Sequence, residues 1–166
     1  MTTDTGLLIA RLVLGLLMAG HGTQKLFGWF GGHGLAGVSG YFEHLGFHPG
    51  RPFAIAAALS ETVSGLLVAL GLLGPIGPAI MISVMIVAAV TVHWRNGVFV
   101  TSNGIEVPLL YAAGAAALGL TGFGRYSLDA LLGLTADWTP MIIWTVLALG
   151  VVGGVANLAV RRPATA

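Results

Sequence analysis

The chain has 166 residues, of which 56% are hydrophobic and only 8% charged, with a mean hydropathy of +0.92 and a formal charge of +1. A soluble domain carries about a quarter charged residues, so this chain lacks the polar side chains to cover itself in water, and lipid must cover it instead. The near-zero charge argues against nucleic acid, which needs a basic face, and the absence of Cys excludes disulfides, thiol redox chemistry and Cys-ligated zinc or iron–sulfur centres within the chain.

The first apolar segment runs from about Leu7 to Phe27. It lacks a basic n-region, Arg11 interrupts it, and no small-residue cleavage site follows, so it is expected to be retained as a span and not removed as a signal peptide. Within it Arg11, Leu14, Met18, His21 and Lys25 recur at alternating spacings of three and four, which places them on one helical stripe facing neighbouring helices.

Trp29 to Arg51 is too polar and Gly-rich to span, yet it contains Trp29, Phe30, Tyr41, Phe42, Leu45 and Phe47. Residues 37–47 read as an amphipathic helix, placed at the membrane interface or folded back as a lid. His33, His44 and His48 fall in this stretch without ligand-like spacing and read as interfacial side chains.

A second segment, about Phe53 to Leu73, and a third, about Ile76 to Asn96, flank Gly74-Pro75-Ile76-Gly77-Pro78. That turn predicts an antiparallel hairpin. A fourth segment, about Glu106 to Thr121, is short for a span, and Gly122-Phe123-Gly124 ends it. Ser127 is placed to cap a short helix through Leu132, with Asp129 near its positive end. A fifth segment, about Met141 to Val160, follows Pro140 at a first helical turn. Each span must be helical, because hydrocarbon offers no partner to an open backbone group. The expected architecture is all-α, a transmembrane helix bundle. Residues 1–133 would form the core, with an interfacial loop at about 29–52. Residues 134–166 would add one span and a short basic tail.

Five spans place Lys25, Arg51, Arg95, Arg161 and Arg162 on one side and only Arg125 on the other. The positive-inside rule then predicts an external N-terminus and a cytoplasmic C-terminus in the cell membrane.

Ionisable residues inside a bilayer are costly and functional by default. A rise of about 1.5 Å per residue puts His21 roughly 21 Å, Glu61 roughly 18 Å, His93 roughly 24 Å and Tyr111 roughly 16 Å from the outer end. These four share a layer in the inner half, with Gln24, Lys25 and Asn96 close by. Arg11 comes out roughly 6 Å deep, where it could snorkel outward. A carboxylate near imidazoles has three readings: an ion pair that fixes the bundle, a weak metal site of His21, Glu61 and His93, or hydrogen bonding and proton exchange with a quinone head group. Arg11, Arg95 and Glu106 are the candidate charge partners. Gly15 with Ala19, Gly65 with Ala69, and Gly150 with Gly154 permit close helix approach.

The run from Arg11-Leu12 through Gly20-His21-Gly22-Thr23-Gln24-Lys25-Leu26-Phe27-Gly28 resembles the first helix of the DoxX family. Ser60-Glu61-Thr62 with Gly65-Leu66-Leu67, and His93-Trp94-Arg95-Asn96-Gly97 through Glu106, Tyr111 and Gly124-Arg125-Tyr126-Ser127-Leu128-Asp129, extend the resemblance over about residues 5–133. The resemblance implies a four-helix membrane bundle associated with membrane oxidoreductase systems, in one branch with quinone as acceptor, and marks Arg11, Gln24, Lys25, Glu61, His93 and Asn96. The segment after about Thr139 departs from it. Three functions follow as expectations: an accessory redox subunit that binds quinone or another lipid-soluble ligand, a non-enzymatic scaffold, and a small proton-coupled transporter. Any electrons would come from a partner, and the chain is expected to contact lipid and either a protein partner or further copies of itself.

Overall fold

A computed structural model describes residues 1–162; the last four residues of the expected basic tail lie outside them. Seven α-helices account for the described chain: α1 (Thr2–Phe27), α2 (Gly34–His44), α3 (Gly50–Leu70), α4 (Ile76–Ala88), α5 (Glu106–Thr121), α6 (Leu128–Leu132) and α7 (Pro140–Ala159). α4 continues through a π-type turn over Ala89–His93 and a 3-10 turn over Trp94–Asn96. With that continuation, four helices are long and apolar enough to cross a membrane: α1, α3, α4 and α7. The fold is an all-α membrane bundle. α5 is shorter and apolar. Its 16 residues rise about 24 Å, and it connects the two ends of the bundle. At its start Glu106 N donates to Val98 O (2.8 Å), and beyond its end Arg125 N donates to Asp4 Oδ1 beside the start of α1 (3.0 Å).

α3 and α4 form the middle of the bundle. α1 and α2 pack on α3, while α5 and α7 pack on α4. The buried core joins Met18, Val68, Met81, Met85, Tyr111, Leu118 and Leu147 from five helices. The outward faces carry Leu12, Leu16, Leu17, Leu109, Leu110, Trp144, Leu149 and Val152, an apolar surface suited to lipid chains.

Small residues set the closest helix contacts. A Cβ added at Gly15 would fall 2.5 Å from both Ala69 N and Gly65 O, and one at Gly65 would meet Gly15 O at 2.5 Å. α1 and α3 therefore touch backbone to backbone. Gly150 and Gly154 of α7 similarly abut the carbonyls of Ala79 and Ser83 in α4. All three pairs of small residues singled out by spacing lie on helices in contact.

The link between α3 and α4 is locked by one carboxylate. Gly71 takes the left-handed conformation (φ 66°) that ends α3, and Leu73, unusually for a branched residue, does so too (φ 61°). Asp129 accepts from Leu73 N (2.8 Å), Gly74 N (2.7 Å) and Trp138 Nε1 (2.9 Å), and its own amide donates to Gly71 O (2.9 Å). Ser127 caps α6 as expected, accepting from Ala130 N (3.2 Å), but Asp129 serves the neighbouring turn as well as its own helix. An Asp129→Ala variant strands these donors in a buried site. At about 1–3 kcal/mol for each unmet buried group, the loss is expected at about 3 kcal/mol or more, read as a lowered thermal midpoint of the detergent-solubilised protein. An unchanged midpoint would contradict this role.

Arg11 departs from its expected snorkelling position. It is 3% exposed, and its guanidinium donates to Ala69 O at the end of α3 and to Tyr126 O in the loop before α6. The last carbonyls of a helix lack intrahelical donors and carry its negative pole, so α3 offers the cation a partner inside the bundle. Arg11 thus pairs with backbone and, among the described residues, with no carboxylate.

Candidate functional site

α1 and α3 approach closely again at Gly22, where a Cβ would collide with Thr62 N and Ala58 O. One helical turn further, Lys25 meets the residue beside Thr62: Lys25 Nζ donates to Glu61 Oε2 at 2.5 Å. The Glu61 side chain is 6% exposed and that of Lys25 28%. It is the only ion pair between side chains among the described residues. The helix contact sets the pair, since neither side chain could reach the other if a larger residue held the helices apart.

His93 is placed by different means. The π-type turn at the end of α4 inserts extra backbone before it, a deviation often found at functional positions. Its Nδ1 lies 2.8 Å from Asn103 O, which also accepts from Asn96 Nδ2 (3.3 Å). Asn103 is left-handed (φ 61°), a conformation that Asn tolerates better than most residues. Asn96 Nδ2 donates to Val92 O as well (3.1 Å), and Glu106 Oε2 accepts from Val100 N (2.7 Å). Asn96 and Glu106 therefore order the loop that holds His93, and Glu106 pairs with backbone where a basic partner was expected. Arg95 is exposed and has no acidic partner among the described residues.

Lys25, Glu61 and His93 line one cavity of 320 Å³ between α2, α3 and α4. α7 contributes Asn157. The walls are mostly apolar. Phe47 lies between Phe42 and Phe53 in tilted ring contacts, with centroids 5.6 and 5.2 Å away, and all three residues line the space. The 29–52 segment thus lies partly over the bundle: α2 packs on α3 and covers the cavity with Val38, Tyr41, Phe42 and Leu45. Burial pushes the Tyr41 hydroxyl pKa above its usual value, and the hydroxyl can both donate and accept. His33, His44 and His48 are exposed.

The end of α2 is tied to the end of α7. Arg161 Nε donates to Leu45 O, and Arg162 N donates to Gly46 O at 2.7 Å. Losing the guanidinium removes a charge-assisted bond of about 1–2 kcal/mol. Arg161→Ala is therefore expected to speed amide exchange across residues 41–47 by about fivefold or more, measured by hydrogen–deuterium exchange. Unchanged protection would show that the tie does not hold α2.

The other expected site residues do not join the cavity. His21 is exposed and meets the buried Tyr111 edge to face, with centroids 5.9 Å apart. Gln24 Nε2 donates to Phe30 O (3.2 Å) and closes the end of α1. Among the described residues no three His, Asp or Glu side chains converge as metal ligands, so His21, Glu61 and His93 do not form one donor set. A second cavity, of 360 Å³, lies at the opposite end near Arg125 and Trp138; its buried Asp129 is engaged by the α3–α4 turn.

Sequence reasoning missed the carbonyl of Asn103, the contribution of Asn157 and the tie from Arg161. The dipeptide Asn103-Gly104 is a turn signal that marks the first.

In comparisons with known proteins, the DoxX family model matches residues 6–94. That range runs from α1 through His93 and includes Arg11, Lys25 and Glu61. No curated protein and no solved structure matches the chain.

Proposed function

The chain belongs to the DoxX family, and on that footing we propose that it is an accessory subunit of a membrane oxidoreductase system that binds a quinone or another lipid-soluble ring in the cavity beside Lys25 and Glu61. The observation that carries this reading is the makeup of that cavity. An apolar, aromatic-walled space of 320 Å³ meets a charged pair and an imidazole, the pattern of a site that takes an apolar body and fixes one polar head. With no Cys in the chain, electrons would come from a partner protein. The bound ring would lie close to groups able to exchange protons.

The test is saturable binding of a decyl-tailed benzoquinone to the purified full chain in lipid nanodiscs. Phe53→Ala, which strips the wall, is expected to weaken binding at least about tenfold, as removal of a large buried contact of roughly 1.5–3 kcal/mol would do. Binding that is absent, or indifferent to Phe53→Ala in folded protein, would sink the reading.

A scaffold role has one observation in its favour: the charge of Glu61 is already met by Lys25. On that reading the pair only fixes the register of α1 on α3.

We also infer an external N-terminus and a cytoplasmic C-terminus in the cell membrane, from Lys25, Arg51, Arg95 and Arg161 at one end of the bundle. Residues 1–133 would act as the family core and α7 as an added span that braces α4. Reporter fusions after Gly31 and after Arg162 should both be active inside; activity outside would reverse the orientation.

A further inference from the structure

The hydrogen bonds around the cavity set which donors and acceptors are left to meet a ligand. Asn103 O is a carbonyl oxygen with lone pairs only, so the 2.8 Å contact requires the hydrogen to sit on His93 Nδ1. A neutral imidazole carries a single N–H, and Nε2 is left as a bare acceptor. Glu61 presents a second acceptor. Its Oε2 takes Lys25, while Oε1 receives no hydrogen bond from any described residue. Lys25 retains ammonium hydrogens beyond the one given to Glu61. The Tyr41 and Ser60 hydroxyls on the same walls serve in either sense.

Resting on the cavity reading above, we propose that the site selects a hydroxyl-bearing ring, a phenol or a quinol, over the corresponding quinone. A ring hydroxyl donates to Glu61 Oε1 or His93 Nε2 and accepts from Lys25. A ring carbonyl can accept from Lys25 or from a wall hydroxyl, but it leaves both fixed acceptors, Glu61 Oε1 and His93 Nε2, facing an acceptor. Sites built around a ligand's hydrogen-bond donor discriminate strongly against an analogue that lacks it, because their own groups are then left unpaired. The π-type turn and the left-handed Asn103 gain a purpose here, since together they fix the tautomer that makes His93 an acceptor.

The experiment compares three related probes on the full chain in nanodiscs: a decyl-tailed benzohydroquinone, its quinone and its bis-methyl ether. The hydroquinone is expected to bind at least about tenfold more tightly than either of the others. The quinone removes the donors at nearly constant shape, and the ether keeps the hydroquinone's aromatic ring and oxygens while replacing each donor hydrogen with a methyl group. His93→Phe removes one acceptor and should reduce the preference to about threefold or less while quinone still binds. Glu61→Gln should act in the same direction. If the quinone or the ether matches the hydroquinone in saturable binding, the preference is wrong and the cavity reading stands. If no probe binds saturably, the cavity reading itself falls, and this inference with it. A preference that survives both His93→Phe and Glu61→Gln in protein with wild-type melting also overturns the assignment.

Discussion

Gly65→Leu is expected to abolish the folded bundle. The first added carbon would lie 2.5 Å from Gly15 O and 2.9 Å from Ala19 Cα, well inside contact distance, and both atoms belong to the backbone of α1. A flexible side chain could swing away; a helix backbone cannot. α1 would have to withdraw, taking with it the Gly22 contact with α3, the reach of Lys25 to Glu61 and the anchorage of Arg11 on Ala69 O. Overpacking a fitted site costs about 1–3 kcal/mol even when neighbours adjust, and here several contacts are lost together. Gly20 is the control. A Cβ there meets nothing within 4 Å, and Gly20→Ala in mid-helix should be neutral or stabilising by about 0.5–1 kcal/mol. The measurement is recovery of monodisperse protein after extraction, with its melting temperature. Gly65→Leu protein that melts like wild type would refute the backbone contact.

Breaking the ion pair from one side should cost far more than removing it whole. Lys25→Met leaves the Glu61 carboxylate buried with no cation, a loss of about 3–5 kcal/mol where a buried pair is halved. Lys25→Met combined with Glu61→Leu replaces both charges with apolar volume and is expected to recover most of that loss, because such replacements are often neutral. Thermal melts of the wild type, the two single variants and the double variant give the coupling. The double variant also separates the two functional readings. A folded double variant that has lost ligand affinity assigns the pair to the site. One that binds as the wild type does leaves it the scaffold role alone.

The helices were legible because lipid demands long apolar runs and the breaks are Gly- and Pro-rich. α5 begins at Glu106 and ends at Thr121, as the apolar run predicts, and Ser127 and Pro140 mark helix starts. α3 begins at Gly50 and not near Phe53, since its first turn is less apolar than its body. The α1 stripe was half legible. Arg11 and Met18 are buried and Lys25 reaches a neighbouring helix, but His21 on the same stripe is exposed. A helical period gives direction around an axis, and it does not give the position of the next helix. Depth along the membrane brought Glu61 and His93 to one cavity. It could not separate His21, which has a similar expected depth but does not line that cavity. Arg11 was misplaced because counting charges overlooks carbonyls: its partners are main-chain oxygens of Ala69 and Tyr126, which leave no mark in composition. The tie from Arg161 to Leu45 O was hidden for the same reason.

The most direct test of a ligand site between α2, α3 and α4 is photocrosslinking with an azido-substituted, decyl-tailed quinone or quinol, followed by peptide mapping. Saturable labelling confined to the cavity walls, with adducts on Tyr41, Phe42, Phe53, Val84 or Val87, blocked by unlabelled ligand and lost in the Lys25→Met, Glu61→Leu double variant, is the predicted result. Labelling that fails to saturate, or that spreads over the outward faces of α5 and α7 at Leu109, Leu110, Trp144 and Val152, would contradict it and leave the polar pair as a fastening of the bundle.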